Sequence, residues 1–295
     1  MAYSTSTTMS ELTVALKGQA TLAVLDESVM APGGVAHQLL KVQRLPKGSK
    51  SFQFNYGSTI TGYDVTEGQD HNASQAYDPT GTAVTATERV AMSTVTDFGR
   101  QAVIDNIDQS IGFEIGRGLG VKWDTDVFAL NSSLGNSEGT TSTDLNFEDV
   151  MSALNKLRID KIPGPFWGIF HPDTWYELAT EGTVTMAATT GGVGTMAEEV
   201  AQGYWLTTVP MLGLRMVITT NIPDSTDYYN VIMSERRQCY GCVIMDHPDT
   251  PGQMWVNHIE LERDASARAY EVVGTDAFGV AEIEDNAGCY ILGNS

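Results

Sequence analysis

The residues of this sequence best suited to metal or redox chemistry are its three cysteines. Cys239 and Cys242 have the spacing of a metal-binding or redox pair, and Cys289, His247 or His258 could complete a zinc site. The chain has no second pair of this spacing, and neither histidine follows the spacing of a zinc ligand. We therefore interpret the cysteines as small buried residues of strands and predict no metal site.

Two groups of carboxylates could bind divalent cations between copies of the chain. Asp124 and Asp126 lie on a predicted long helix, whereas Glu282, Glu284 and Asp285 lie near the end of the sequence. Carboxylates clustered in this way usually belong to solvated faces, because charged side chains are rarely buried without partners. We therefore expect solvated surfaces at both places.

Other catalytic or cofactor motifs are not complete. The run Gly191-Gly192-Val193-Gly194-Thr195 lacks the lysine of a phosphate-binding loop and the GxGxxG spacing of a dinucleotide fold, so we expect a plain loop. No GxSxG elbow or comparable nucleophile context is present. The sequence predicts neither catalytic nor cofactor-binding residues, and we expect the protein not to be an enzyme.

Charge and length narrow the class of protein. The 295 residues include 37 acidic and 17 basic ones, and the resulting formal charge of −20 argues against tight binding to a phosphate backbone. The length suits one or two structural domains. An odd number of cysteines, no basic-then-apolar leader and no long apolar window predict folding in a reducing cytoplasm.

A long helix is the element around which the other segments are predicted to fold. It would begin at Asp97, end at Gly135, and be about 35 residues or roughly 50 Å long. Gly112, Gly116 and Gly120 form a second stripe that suits close approach of another backbone, for which a crossing strand is the simplest candidate. The four-residue steps that predict the helix are made by Val103, Ile107, Ile111, Ile115, Leu119, Trp123 and Val127.

Two segments before this helix have few predicted contacts within their own chain. Residues 1–45 show weak periodicity and predict an extended arm with one short helix or strand, either mobile or laid on a neighbour. Residues 46–96 alternate aromatic and polar residues around turn signals, which predicts a long β-hairpin with a loose tip. A two-stranded ribbon is marginal alone, so we expect it to rest on another surface, with its own domain on the far side of the long helix.

The later chain predicts an α/β module followed by antiparallel strands. Asn146 and Asp149 approximate a capping box for a short helix, and the strand 166–170 leads into a second helix that ends near Gly182. A further helix from 195 to 200 and one or two strands between 209 and 223 are predicted, and the segments 229–233 and 239–245 are expected to pair. Strands from 253 onward would return to be covered by the long helix.

This order of elements resembles the major capsid protein of tailed double-stranded DNA phages. The run Met211 to Pro223, MLGLRMVITTNIP, is similar to the family's Leu-Gly, β-branched strand and Asn-x-Pro pattern, and His171 to Trp175, HPDTW, is a weaker match. The resemblance implies an α+β, HK-type capsid fold. Its parts would be an N-terminal arm at 1–45, an extended β-hairpin loop at 46–96, a peripheral domain with the spine helix at 97–165 and 250–295, and an axial domain at 166–249.

The resemblance also implies function and partners. Hexamers and pentamers of this chain would form an icosahedral capsid around phage DNA, which they would contact only non-specifically, after assembly in the bacterial cytoplasm. Scaffolding and portal proteins, and in some relatives decoration proteins, would be partners; the chain lacks a long helical scaffolding segment, which implies a separate scaffolding protein or removal of a pro-segment.

Some relatives form a Lys-to-Asn crosslink, for which Lys47 or Lys50 and Asn286 or Asn294 have the residue types. Those lysines lie at the hairpin's base, so we expect no crosslink.

Two other functions stay open at this point. The same architecture could form a prokaryotic nanocompartment shell that holds a cargo enzyme. The α/β module could instead belong to a soluble hydrolase or binding protein.

Overall fold

The computed structural model describes residues 6–56, 60–68, 75–76, 79–102, 107–180, 206–209, 214–223, 226–246 and 258–294. The helices in this part of the chain are α1 (Ser6–Glu27), α2 (Asp97–Ala102), α3 (Ile107–Phe128), α4 (Phe147–Ile159) and α5 (172–180). The first eight strands are β1 (Leu40–Leu45), β2 (Ser51–Tyr56), β3 (Thr80–Thr85), β4 (Thr87–Thr96), β5 (Asn136–Glu138), β6 (Phe166–Phe170), β7 (Leu206–Val209) and β8 (Leu214–Ile218). The others are β9 (Asp227–Ser234), β10 (Tyr240–Met245), β11 (His258–Asp264), β12 (Ala269–Glu282) and β13 (Gly288–Asn294).

These strands form two main sheets and one ribbon. The first sheet has five strands in the order β1-β10-β12-β11, with β4 also paired to β12. The second has six strands in the order β5-β13-β9-β6-β8-β7, and β2 with β3 makes the ribbon. Sheet membership corrects one prediction. Segments 229–233 and 239–245 do not pair, because β9 lies in the six-stranded sheet and β10 in the five-stranded one.

The spine helix α3 covers the five-stranded sheet, as the sequence predicted. Ile115 and Leu119 on α3 pack against Ile259 of β11 and Val272 of β12. One turn further on, the indole ring of Trp123 stacks on the ring of Phe278, which lies in β12 of the same sheet. Burial of this apolar face holds the helix to the late strands β11 and β12. The last strand, β13, was expected to return to the same sheet and instead lies between β9 and β5 in the other one.

The spine helix is shorter than predicted, because it ends at Phe128 and not at Gly135. The backbone N–H of Leu130 bonds to the carbonyl of Val127, three residues back, and a 3-10 turn follows at Asn131–Ser133. The buried Asn131 side chain donates to the carbonyl of Tyr229 and accepts from the hydroxyl of Tyr240. These long-range bonds are not visible in local sequence. Residues 103–106, where the prediction joined α2 to α3, lie outside the described residues.

The N-terminal region does not form the extended arm that weak periodicity predicted. Ser6–Glu27 is a helix of 22 residues that packs along α3. Its side chains Leu16, Ala20 and Val24 are buried. The sequence predicted only one short helix or strand here, because apolar residues lie on both the inner and the outer side of the helix, which removes the single apolar stripe that marks a surface helix.

The glycine stripe of α3 is where the backbone of α1 approaches. A side-chain carbon added at Gly116 would lie 2.5 Å from the Cα atom of Ala20, and one at Gly120 would lie 3.3 Å from the Cα atom of Val24. The prediction of a close backbone is confirmed, although the backbone belongs to a helix and not to a crossing strand. Small residues at such a contact let two helix axes approach closely, which supplies packing that a larger residue would block.

The hairpin is a short paired ribbon anchored at its base. Strand β2 pairs with β3 in register from Ser51–Thr85 to Tyr56–Thr80. Ala86 then separates β3 from β4, which pairs over ten positions with β12. At the base, Phe54 and Val84 pack with Val243 and other residues of the five-stranded sheet. The base therefore rests on its own body, contrary to the expectation that the hairpin's domain lies beyond the long helix.

Local predictions in the later module are mostly confirmed. The side chain of Asn146 caps α4 by accepting a hydrogen bond from the backbone N–H of Asp149 at 2.9 Å. Helix α5 follows β6, and β8 lies within residues 209–223, where one or two strands were expected, while β7 ends at residue 209. The loop 183–194 and the helix 195–200 lie outside the described residues.

Candidate functional site

The three cysteines are buried, as predicted. All of their side chains are inaccessible, and burial raises the pKa of Cys242 and of Cys289 to about 12. The same desolvation raises the pKa of Cys239 even further. A thiol must lose its proton to act as a nucleophile or metal ligand, so these thiols are inert at neutral pH. Of the two histidines considered as zinc ligands, His258 contacts Glu260, with 3.2 Å between Nε2 and Oε1, and His247 lies outside the described residues.

Among the described residues, no three or more His, Cys, Asp or Glu side chains are grouped so that they could hold a metal ion. The glycine run 191–195 falls outside that part of the chain. Within the described ranges, no helix is both long and apolar enough to cross a bilayer.

Asp126 and the C-terminal carboxylates are engaged in contacts within the chain. Asp126 accepts from Lys122, at 2.6 Å from Nζ, and also pairs with Arg89. Glu284 forms an ion pair with Arg237. Glu282 accepts a hydrogen bond from the Ser133 hydroxyl; burial and the neighbouring Asp285 raise its pKa, while the Ser133 bond lowers it. Two of the five carboxylates predicted to be solvated are thus neutralised by cations of the same chain.

Asp124 contradicts its prediction most clearly, because its side chain is fully buried. One oxygen accepts from the Ser28 hydroxyl at 2.6 Å and from the Met30 N–H at 2.9 Å. The other accepts from the Val29 N–H at 3.0 Å and the Asn221 amide at 2.9 Å. Burial raises the pKa of Asp124, and these four hydrogen bonds oppose the rise. Four donors satisfy a carboxylate that would otherwise be costly to bury.

The Asp124 junction, defined here as Asp124, Ser28, Val29, Met30 and Asn221, joins three segments of the chain. It ties the end of α1 to the spine helix and to the loop after β8. Asn221 donates a second bond from its amide, to the carbonyl of Glu27 at 2.8 Å. Asn221 is also the asparagine of the Asn-x-Pro pattern, so a motif without catalytic chemistry has a positional role. The Met211–Gly213 part of that motif lies outside the described residues.

A second anchor fixes the strand that leads from the hairpin into the body. The Arg89 guanidinium donates twice to Asp126, at 3.1 and 2.8 Å, and once each to the carbonyls of Thr87 and Phe278. Its central carbon lies 4.5 Å from the ring centroid of Phe278, which itself stacks on Trp123 at 3.7 Å. A planar fork with this many acceptors has little freedom to move. The base of the hairpin is therefore held rigidly by spine and sheet.

Beyond this base the hairpin is exposed. All of residues 60–68 are exposed, and the side-chain amide of Gln75 bonds both backbone groups of Thr61. Seven of the exposed apolar side chains lie on the hairpin and on the outer face of β4: Phe52, Tyr56, Ile60 (62% exposed), Tyr63, Val65, Val90 and Met92. Exposed apolar side chains along a ribbon make it a candidate contact surface.

The lysines and asparagines considered for a crosslink lie apart in the fold. Lys47 and Lys50 are exposed in and beside the turn between β1 and β2. Asn286 lies in the 3-10 turn before β13, and Asn294, at the end of β13, donates to Asp144 at 3.3 Å. No contact between these lysines and asparagines is present within the described chain, and the absence of a crosslink between copies stays a prediction.

Neither a protein-family model nor a curated protein matches this sequence. Solved structures do match the fold. The capsid of Cyanophage P-SCSP1u is 16% identical with a TM-score of 0.64, and the match covers 87% of each chain. Mycobacterium phage Che8 gives 16% identity and a TM-score of 0.63 over 82% of this chain and 84% of that one. A virus-like particle from Pyrococcus furiosus is 16% identical with a TM-score of 0.58, and the match covers 96% of this chain and 98% of that one. The predicted α+β capsid fold is therefore confirmed.

Proposed function

We propose that this protein is the structural subunit of an icosahedral shell that encloses phage DNA. One observation carries the proposal: the distal hairpin, residues 60–68, is exposed throughout, in a chain whose fold and length match capsid subunits. An exposed ribbon with apolar side chains gains stability when a neighbouring copy covers it. Assembly from repeated contacts between copies follows, with hexamers and pentamers as the closed units.

The body of the subunit is suited to presenting the hairpin. One apolar core runs from the end of α1 through α3 and α4 into the six-stranded sheet. Strand β10 belongs to the segment 166–249 but pairs in the five-stranded sheet beside α3. Strand β13 belongs to the segment 250–295 but pairs in the six-stranded sheet. A peripheral domain around α3 and an axial domain around β6, β8 and β9 would thus be coupled by exchanged strands.

Partners and location belong to the same proposal. The partners are other copies of this chain, a scaffolding protein and a portal, with decoration proteins in addition where the shell carries them. Enclosed DNA contacts the shell without specificity, because a chain of charge −20 offers little net attraction to phosphates. The place of function is the virion capsid, assembled in the host bacterial cytoplasm. A structural role of this kind uses no catalytic residue.

The test is the size and content of the particles formed by the full chain. Purified protein, alone and with candidate scaffolding protein, is examined by size-exclusion chromatography and negative-stain microscopy. We expect closed shells tens of nanometres across. A compact monomer in which residues 60–68 resist protease would contradict the proposal and favour a soluble hydrolase or binding protein.

A nanocompartment shell that holds a cargo protein is the second candidate. It is favoured by the likeness to the virus-like particle from Pyrococcus furiosus, which covers 98% of that chain. Shells purified from the native host distinguish the two functions. Packaged DNA supports the phage capsid, whereas an enclosed protein without DNA supports the compartment.

A further inference from the structure

Positive charge is concentrated in one groove of this acidic chain. The sequence holds 17 basic residues among 295, yet three of them, Lys41, Arg236 and Arg237, are among the nine described residues that line the groove. The groove lies between β1, β2 and the turn that joins β9 to β10. Its volume is about 280 Å³, near the lower limit of small-ligand sites. A cavity of this size and charge suits a small anionic group.

The groove keeps a net positive charge after its internal pairing. Among the described lining residues the one carboxylate is that of Glu284, which forms an ion pair with Arg237. Lys41 and Arg236 are then the excess cations, and both are exposed. The sequence of β1 and β2 adds no carboxylate, because residues 28–63 contain neither Asp nor Glu. The groove is therefore a local exception to the formal charge of −20, and it attracts anions at short range.

The wall that carries Arg236 is fixed by hydrogen bonds. The hydroxyl oxygen of Ser234 accepts from the backbone N–H groups of Arg236 and Arg237, at 3.2 Å each. The side-chain amide of Gln238 donates to the carbonyl of Gln38 at 3.2 Å, which ties this turn to the residues just before β1. Because the groove is already formed, a ligand can enter it with little cost for ordering the backbone.

Aromatic residues of β2 supply the apolar side of the groove. The buried ring of Phe54 lines it, and the Lys41 ammonium lies 5.8 Å from the centroid of that ring. Tyr56, two residues further along the same face of the strand, also lines the groove and is 37% exposed. An accessible aromatic ring beside cations is the combination that holds single-stranded nucleic acid, since the ring stacks on a base while the cations contact phosphates.

We infer that this groove binds single-stranded nucleic acid, with one base on the ring of Tyr56 and the adjacent phosphates at Lys41 and Arg236. A duplex matches the groove less well, because its bases already stack on one another and only its phosphates remain for contact. The inference goes beyond the proposed function, since a free subunit can bind through this groove whether or not it assembles. An acidic protein segment is the competing occupant, because it offers carboxylates but no base.

The binding is measured by fluorescence anisotropy on dispersed full-length subunits, with a labelled oligothymidylate of about 12 nucleotides, a length that such grooves hold. The cation variant carries Lys41→Gln and Arg236→Gln, and the aromatic variant carries Tyr56→Ala. The control carries Arg158→Gln and Lys161→Gln, which remove two exposed positive charges at and just after the end of α4, outside the groove. Circular dichroism checks that each variant is folded.

We expect the cation variant to weaken binding about tenfold or more at low salt, and to lower the slope of log affinity against log salt by about 1.4, or about 0.7 for each lost phosphate contact. The control should stay within about twofold of the wild type, because distant exposed charges are screened. Tyr56→Ala should weaken binding about fivefold or more with little change in the salt slope, since it removes a stacked base and no phosphate contact.

Several results would overturn the inference. A cation variant that binds as tightly as the wild type would place the contact elsewhere. A duplex of the same length that binds as tightly as the single strand, with no effect of Tyr56→Ala, would reduce the site to a backbone contact. Polyglutamate or inorganic phosphate that displaces the oligonucleotide at equal charge concentration would identify an acidic protein or a free anion as the occupant. Each of these results can occur while shells still form, so the proposed function is judged separately.

Discussion

The N-terminal helix and the distal hairpin lie in segments that were both predicted to have few contacts within their own chain, yet only the helix packs on the body of the subunit. Helix α1 packs on α3, where glycines accept its backbone, and Leu16, Ala20 and Val24 are buried. Residues 60–68 have no such complementary surface and are exposed. A segment with few local contacts therefore needs a partner only when its own chain offers no surface shaped to receive it.

The largest expected effect separates assembly from folding. Deleting Thr66 to Thr80 removes the second part of the distal hairpin and the first residue of β3, but none of the buried anchors at its base. We expect complete loss of shells, while the free energy of unfolding changes by less than about 1 kcal/mol, because exposed residues contribute little to stability. Sedimentation measures the first quantity and urea unfolding the second. Global unfolding in the circular dichroism spectrum of this variant would remove the distinction between the two regions.

The next effect concerns the anchor of α1. Replacing Asp124 by alanine leaves the buried donors of Ser28, Met30 and Asn221 without their acceptor. We expect a loss of about 3–5 kcal/mol in the free energy of unfolding, since breaking a buried charged network leaves several unsatisfied groups. Glu114→Ala, at an exposed acidic position of the same helix, should change it by no more than about 0.5 kcal/mol. Equal effects of the two substitutions would show that the junction does not hold the arm.

A smaller effect is expected at the helix contact itself. Gly116→Ala places a methyl group against the backbone of Ala20, and we expect it to cost about 1–3 kcal/mol by overpacking. Gly118→Ala is the matched control, because no atom lies within 4 Å of the added carbon and alanine has the better helix propensity. It should stabilise by up to about 1 kcal/mol. If Gly116→Ala stabilised the protein as much as its control, α1 would not pack where it is placed.

Local sequence predicted the elements whose signals are local. The four-residue steps of α3, the Asn146 cap of α4 and the alternating β2 strand each follow from nearby residues. Sheet membership did not, because the partners of β10 and β13 are chosen by long-range packing that no short window contains. The order of elements, taken as a resemblance, predicted the fold better than any one motif.

The candidate site was predicted least well, and Asp124 shows why. A lone carboxylate beside Trp123 has the sequence pattern of a surface charge, since its donors come from residues 28–30 and from Asn221. Only folding brings these distant residues together. The Asn-x-Pro pattern was the one available signal, and it indicated a family without indicating a hydrogen bond.

The most direct test of the central claim, that the distal hairpin becomes ordered against another copy, is thiol labelling of a Thr66→Cys variant before and after assembly. Position 66 is exposed, while burial raises the pKa of the natural thiols of Cys242 and Cys289 to about 12, so at pH 8 only the new thiol should react with the native subunit. We predict rapid reaction in free subunits, strong protection in shells, and slow reaction of the three natural cysteines in both. Reactivity at position 66 that is equally fast in shells, or already blocked in the free subunit, would contradict the account.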